Sequence, residues 1–249
     1  MSMMLIDQTK DAACKTAEAD AIRAKTGGSA QIAYDFSNNK GFADAIDAIP
    51  TGGGGDYTAA DFGDPTKPSG DVTYLGSYIG LQNSTVAPDW FSYRTAITKL
   101  YMPNYNNTAN VSVGPFRNNT AMVYAIMPKM TKIYNAVFFG CSSLKALDWL
   151  GGEIIGTNNQ FVACTMLNIM VIRMTASVCS LSTINAFNNT PFASGKAGGT
   201  LYVPQDLISS YQSATNWSTI LGYANNKILP IEGSIYETQY VDGTPIPTT

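Results

Sequence analysis

The chain contains no histidine, so the commonest general base and the commonest metal ligand are missing. A Ser-His-Asp triad cannot be assembled from it. A Ser-Lys pair stays open in principle, but no local signature supports one. Two close carboxylate pairs occur, Asp44/Asp47 on a short expected helix and Asp61/Asp64 in an expected linker. Both read as solvated charges rather than an acid–base pair. The run Gly52–Gly55 has no Lys-Ser/Thr after it and is not a phosphate loop. The cysteines are Cys14, Cys141, Cys164 and Cys179. Cys141 and Cys164 occupy one repeated position. A metal pair or a disulfide is one reading, a reduced and buried small side chain the other. Asn119 and Thr190 at the same position favour the second. No catalytic residue, metal or cofactor is expected, and no hydrolase activity.

The element that carries these cysteines is a repeat. Phe138-x-x-Cys141-x-x-Leu144-x-x-Leu147-x-Trp149 returns as Phe161-x-x-Cys164-x-x-Leu167-x-x-Met170-x-Ile172. Earlier copies begin at Phe91, with Arg94, Ile97, Leu100 and Met102, and at Phe116, with Asn119, Met122, Ala125 and Met127. A broken copy starts at Phe187 and Thr190 and rejoins at Leu201 and Val203. The phenylalanines step by 25, 22, 23 and 26 residues, within the roughly 20–29-residue period of leucine-rich repeats.

The last positions of each copy alternate, the period of a strand. Leu100/Met102, Ala125/Met127, Leu147/Trp149, Met170/Ile172 and Leu201/Val203 are predicted to point inward. Phe91, Phe116, Phe138, Phe161 and Phe187, with Cys141, Leu144, Cys164 and Leu167, are the predicted repeat core. One unit cannot bury its apolar side alone, whereas stacked units can. The fold class expected is an α+β solenoid, a leucine-rich-repeat-like stack of short parallel strands. A small helical N-terminal module precedes it and a capping helix over 205–220 closes it.

The alternate residues on each strand face outward: Lys99/Tyr101, Tyr124/Ile126, Ala146/Asp148, Ile169/Val171 and Thr200/Tyr202. That row is too apolar to be simply wet, and contiguous apolar patches mark contacts. Lys99, Tyr101, Tyr124, Ile126, Asp148, Ile169, Val171 and Tyr202 are therefore the candidate interaction face, for another subunit or a ligand. The alternative is a local distortion or a covering by the chain's own loops.

At 249 residues the chain has room for one large domain or two smaller ones. Charged residues make up only 13%, against about 25% in an ordinary soluble domain. Asn, Ser, Thr, Gly and Tyr must cover the surface. The net charge of −3 gives no reason to expect nucleic acid. No apolar run is long enough for a membrane span, and residues 1–25 lack a secretory core, so neither membrane insertion nor a signal peptide is expected. Helices are predicted over 7–25 and 41–49, both too thinly apolar to stand alone. The expected division is a helical attachment module over 1–50, a Gly/Pro-rich linker over 51–70, the repeat domain over 71–231 and an extended tail over 232–249. The tail has no periodicity, but Tyr236, Tyr240, Val241 and Ile246 can lay it along a neighbour.

The repeats resemble the BspA-type leucine-rich-repeat family, Val137-Phe138-Phe139-Gly140-Cys141-Ser142-Ser143-Leu144 most closely. Leu201-Tyr202-Val203-Pro204 through Tyr211, Thr215-Asn216-Trp217 and Ile228-Leu229-Pro230-Ile231 resemble the ending of such arrays. Asp20-Ala21-Ile22-Arg23-Ala24-Lys25-Thr26-Gly27-Gly28, followed by Ile32, Phe36 and Gly41 to Ile46, is similar to a module of bacteriophage tail and minor structural proteins. Together the resemblances imply a phage tail fibre or receptor-binding protein. Its N-terminal module would join other tail or baseplate proteins, and its repeat surface would meet a glycan or protein receptor on a bacterial host. They imply a location in the virion, extracellular after lysis, and a homo-oligomer, with trimer the number that phage fibres suggest. The rivals are a BspA-type bacterial cell-surface adhesin, a purely structural baseplate or tail component, and a glycan depolymerase. The last lacks an evident paired-carboxylate site.

Overall fold

The computed structural model describes residues 69–74, 91–105, 114–156 and 159–247. They belong to one compact unit, Asp56–Thr249. The expected helices over 7–25 and 41–49, the linker through residue 68, Cys14, and the Asp44/Asp47 and Asp61/Asp64 pairs lie outside them.

Among the described residues ten short strands, β1 (Gly70–Thr73), β2 (Ile97–Tyr101), β3 (Tyr124–Met127), β4 (Lys132–Ile133), β5 (Ala146–Trp149), β6 (Glu153–Ile154), β7 (Ile169–Ile172), β8 (Ser180–Leu181), β9 (Thr200–Val203) and β10 (Lys227–Pro230), form two sheets. The main sheet has seven strands in the order β1-β2-β3-β5-β7-β9-β10, and the small one has three, β4-β6-β8. Every pairing within them is parallel. With a few short helices this is an α/β fold. The small sheet was not anticipated, because two-residue strands are too short to show a period.

Leu100, Ala125, Leu147, Met170 and Leu201 stand in one cross-strand row. Met127, Trp149 and Ile172 stand in the next. All eight are fully buried. The phenylalanines form a second row, with ring centroids 6.2, 5.4, 5.7 and 5.2 Å apart from Phe91 to Phe187. Ile133, Ile154 and Leu181 of the small sheet complete the same core.

The turn at each phenylalanine has a regular form. The residue two positions after it is left-handed in every copy: Tyr93, Asn118, Gly140, Ala163 and Asn189. Asparagine and glycine tolerate that conformation, whereas tyrosine and alanine are strained in it. At Gly140 a Cβ would meet the Asn118 side-chain oxygen, so a larger residue there would have to displace that side chain as well as bear the left-handed conformation. The left-handed turns also stack. The amides of Tyr93, Asn118, Gly140 and Ala163 donate to the carbonyls of Arg117, Phe139, Val162 and Asn188.

The Cys/Asn position is more than a small plug. Cys141 Sγ donates to Phe116 O at 3.0 Å and Cys164 Sγ to Phe138 O at 2.9 Å. Asn119 Nδ2 makes the equivalent bond to Phe91 O, and its Oδ1 accepts from Arg94 N at 2.9 Å. Asn119 thus fills the role of the thiol while bonding more of the turn. Thr190 departs from the pattern: its hydroxyl donates to Phe187 O in its own turn at 2.7 Å. Cys141, Cys164 and Cys179 are free and buried. Burial pushes the Cys164 thiol well up and that of Cys179 to about 12.

The expected single capping helix is two, α1 (Ile208–Ser213) and α2 (Trp217–Leu221), preceded by a 3-10 turn at Gln205–Leu207. Left-handed Asn216 breaks them apart. They cover the Phe187 end of the core. Trp217 lies 5.8 Å from the Phe187 ring and donates its indole N–H to Cys179 O at 2.6 Å. The Tyr211 hydroxyl accepts from Cys179 N at 2.9 Å.

Candidate interaction surface

The outward residues of the main sheet form two rows. One runs Asp71, Lys99, Tyr124, Ala146, Ile169, Thr200, Lys227, and the other Thr73, Tyr101, Ile126, Asp148, Val171, Tyr202, Leu229. The strand period therefore brings all eight candidate-face residues together. It does not leave them open. Ile126, Asp148 and Val171 are fully buried, and Lys99, Tyr101, Tyr124, Ile169 and Tyr202 are half-buried.

The cover is the chain's own tail. After β10 the backbone turns at Ile231 and forms a 3-10 turn, Ile235–Glu237, capped by the Ser234 hydroxyl. It then makes a tight reversal in which Tyr240 N donates to Thr244 O and Gln239 bridges Pro245. Gly243 takes the left-handed conformation there. The tail is thus folded, not extended, and its Tyr236 and Tyr240 are buried against this chain's own sheet. Ile231 and Tyr236 bury Val171, with Ile169, Tyr202 and Val241 around them. The Tyr236 ring stands edge-on to Tyr202 at 4.6 Å, and Tyr240 lies 5.7 Å from Tyr101.

Arg173 pins the tail at its middle. Its Nε and Nη2 donate to the two Asp148 oxygens at 2.6 and 2.7 Å. Nη1 donates to Tyr236 O at 2.9 Å, and the second N–H of Nη2 to Gln239 O at 3.1 Å. The guanidinium also lies 5.3 Å from the Tyr240 ring centroid. Burial pushes the Asp148 carboxyl up, and the arginine pulls it back. A buried carboxylate is tolerable because this bidentate pair and the Val241 amide satisfy it. Sequence reasoning placed Asp148 on a surface and missed Arg173. The available signal was their separation of 25 residues, which sets Arg173 two positions beyond Val171, the residue one repeat on from Asp148, with opposite charges near the ends of adjacent strands.

At the β2 end the cover becomes polar. Lys99 Nζ sits between Asp242 Oδ2 at 3.0 Å and Asp71 Oδ2 at 3.2 Å. Thr98 Oγ1 donates to Asp71 Oδ1 at 3.1 Å, while the Thr244 amide and hydroxyl donate to Asp242 at 2.9 and 2.6 Å. Between the tail loop and the strands a cleft of about 420 Å³ remains. Among the described residues no group of His, Cys, Asp and Glu is arranged to hold a metal ion. No helix of the described residues is long and apolar enough to cross a membrane. Compared with known protein families, curated proteins and solved structures, the chain matches none.

Proposed function

We propose that the parallel stack is a BspA-type leucine-rich-repeat solenoid, and that the chain is a phage tail fibre or receptor-binding protein. The observation that supports this best is the phenylalanine row. Each ring comes from one sequence repeat, and the strand of each repeat pairs with the next in the same register. Such an array gives a rigid, extensible surface without catalytic machinery, suited to presentation and recognition. The low charge content and the order of the two sequence resemblances add to it. In this reading the N-terminal 50 residues join the chain to other tail proteins. The particle carries it in the virion, and the repeat domain meets a bacterial surface receptor. Several copies, most simply three, associate through the N-terminal module. The outer sheet row is no longer a reason for that association, because the tail already covers it.

An antibody against the chain, applied to virions released from cells carrying the gene, tests this reading. Decoration of tails or tail tips in electron micrographs is the expected result, together with reduced phage adsorption in the presence of purified chain. Unlabelled particles overturn it. Labelling of the walls of uninfected cells instead favours the adhesin. Sedimentation of the purified chain as a monodisperse monomer at micromolar concentration overturns the oligomer.

A further inference from the structure

We propose that the cleft between the tail reversal and the start of β2 and β3 binds a neutral saccharide through Asp71, Lys99 and Tyr124. The inference deepens the receptor-binding reading and rests on it for the source of the sugar.

The cleft's volume, about 420 Å³, lies in the range of small-molecule sites. Its polar groups are held before any ligand arrives, by the chain of bonds Thr98–Asp71–Lys99–Asp242–Thr244. Preorganised groups lose little freedom on binding. A count of their unused valences defines the ligand. Asp242 accepts from the Thr244 amide, the Thr244 hydroxyl and Lys99, with its side chain only 5% exposed. It is spent as a recognition group and serves to hold Lys99. Asp71, 65% exposed, accepts from Thr98 on one oxygen and Lys99 on the other, which leaves a lone pair free on each. Lys99 uses two of its three donors on these carboxylates.

The free groups are therefore two adjacent acceptors and one donor beside them. A vicinal diol fits that pattern, since both hydroxyls donate to the carboxylate and one accepts from the ammonium. Charge narrows the choice further. Two carboxylates disfavour an anion, and the ammonium at the centre disfavours a cation, so a neutral polyol is the class that meets no like charge. Tyr124 lines the same cleft and is half-buried, offering an aromatic surface beside the polar groups. That pairing suits a pyranose ring, which is apolar on its face and polar at its rim. The cleft exists only because the tail folds back over the sheet, so the segment that closes the outer face also builds the site.

The full chain is applied to an array of neutral, acidic and amino-substituted oligosaccharides of bacterial-envelope type. Retention on neutral structures is expected. Asp71→Ala should weaken it at least tenfold and Asp71→Asn severalfold. Lys196→Ala, in the separate cleft beside Tyr223, should leave it unchanged. Asp71 is exposed, so both variants should keep the wild-type circular dichroism and melting temperature, and the Asn variant preserves side-chain shape. No retention on neutral sugars, equal retention by both Asp71 variants, or a preference for acidic or amino sugars overturns the site. The two proposals fail separately. Decorated virions with a blank array remove the saccharide site alone, whereas neutral-sugar retention with undecorated virions removes the tail-protein reading alone.

Discussion

On the inner face of the main sheet, five strands deliver Leu100, Ala125, Leu147, Met170 and Leu201 into one core with the row of phenylalanines. Each repeat supplies both its strand and its ring. On the outer face, the same strands depend on a single segment from the end of the chain. That cover grades from apolar at Tyr202 and Tyr236, through the Asp148–Arg173 pair, to the charged contact of Lys99 with Asp242. One face is closed by short-range repetition and the other by one long-range docking. Repetition makes the inner core uniform, so its energy is spread over many equivalent contacts. Docking concentrates the outer face's specificity in a few unique residues.

The largest expected effect tests the inner face. Phe138 is stacked between Phe116 and Phe161 at 5.4 and 5.7 Å and is fully buried. Phe138→Ala removes the middle of the row and leaves a cavity, with an expected loss of about 3–5 kcal/mol. Urea unfolding followed by tryptophan fluorescence measures it. The loss should hardly vary between pH 5 and 8, because the contact contains no titrating group. A loss well under about 1 kcal/mol would mean that neighbouring repeats collapse into the gap, and the inner face would not be the stiff element described above.

The next effect belongs to the outer face and differs in its pH dependence. Arg173→Ala leaves Asp148 buried without its bidentate partner, at an expected cost of about 3 kcal/mol near neutral pH. Burial already holds the folded Asp148 carboxyl above its usual 3.8, against the pull of Arg173. Without the arginine it rises further. A folded carboxyl with a raised pKa keeps its proton longer than the unfolded one, so stability declines as pH rises from 3.8 through the folded value. The variant should therefore lie closest to wild type near pH 5 and furthest from it near pH 8, in parallel urea titrations. Equal pH profiles for Phe138→Ala and Arg173→Ala would erase the contrast between the two faces.

The same contrast explains what was legible. Phe138, Cys141, Leu144, Leu147 and Trp149 announce the inner face because a repeated spacing needs no long-range information. Strand alternation likewise put Lys99, Tyr124, Asp148 and Val171 on one common face. The covering of that face by the chain's own loops was legible only as an alternative to an open contact surface, and which segment covers it was not, since nothing periodic links Tyr236 or Tyr240 to Tyr202 or Tyr101. The left-handed turn was partly visible in Asn118, Gly140 and Asn189, and hidden where Tyr93 and Ala163 adopt it under strain. The thiol ladder was hidden too, because a hydrogen-bonding cysteine and a packing cysteine look alike in sequence.

The smallest expected effect lies where the tail is held by charge. Burial alone would raise the Asp242 carboxyl, but the Thr244 hydroxyl and amide and the Lys99 ammonium outweigh it and hold it below the usual 3.8. The folded state then binds its proton less readily than the unfolded one. The stabilisation is present above 3.8 and is lost as pH falls through the folded value. Lys99 reaches solvent, with 23% of its side chain exposed, so the pair is worth about 0.2–1 kcal/mol. Asp242→Asn should remove that increment at neutral pH and flatten the acid limb of tail loosening. Amide hydrogen exchange reads it best: Tyr240, Gly243 and Thr244 should exchange faster in the variant, while the Phe138 and Cys164 amides keep their protection. The tail beyond Arg173 would then open without the core. If the core amides accelerate in step with the tail, the outer cover and the inner repeat unfold as one unit, and the two faces differ in chemistry but not in stability.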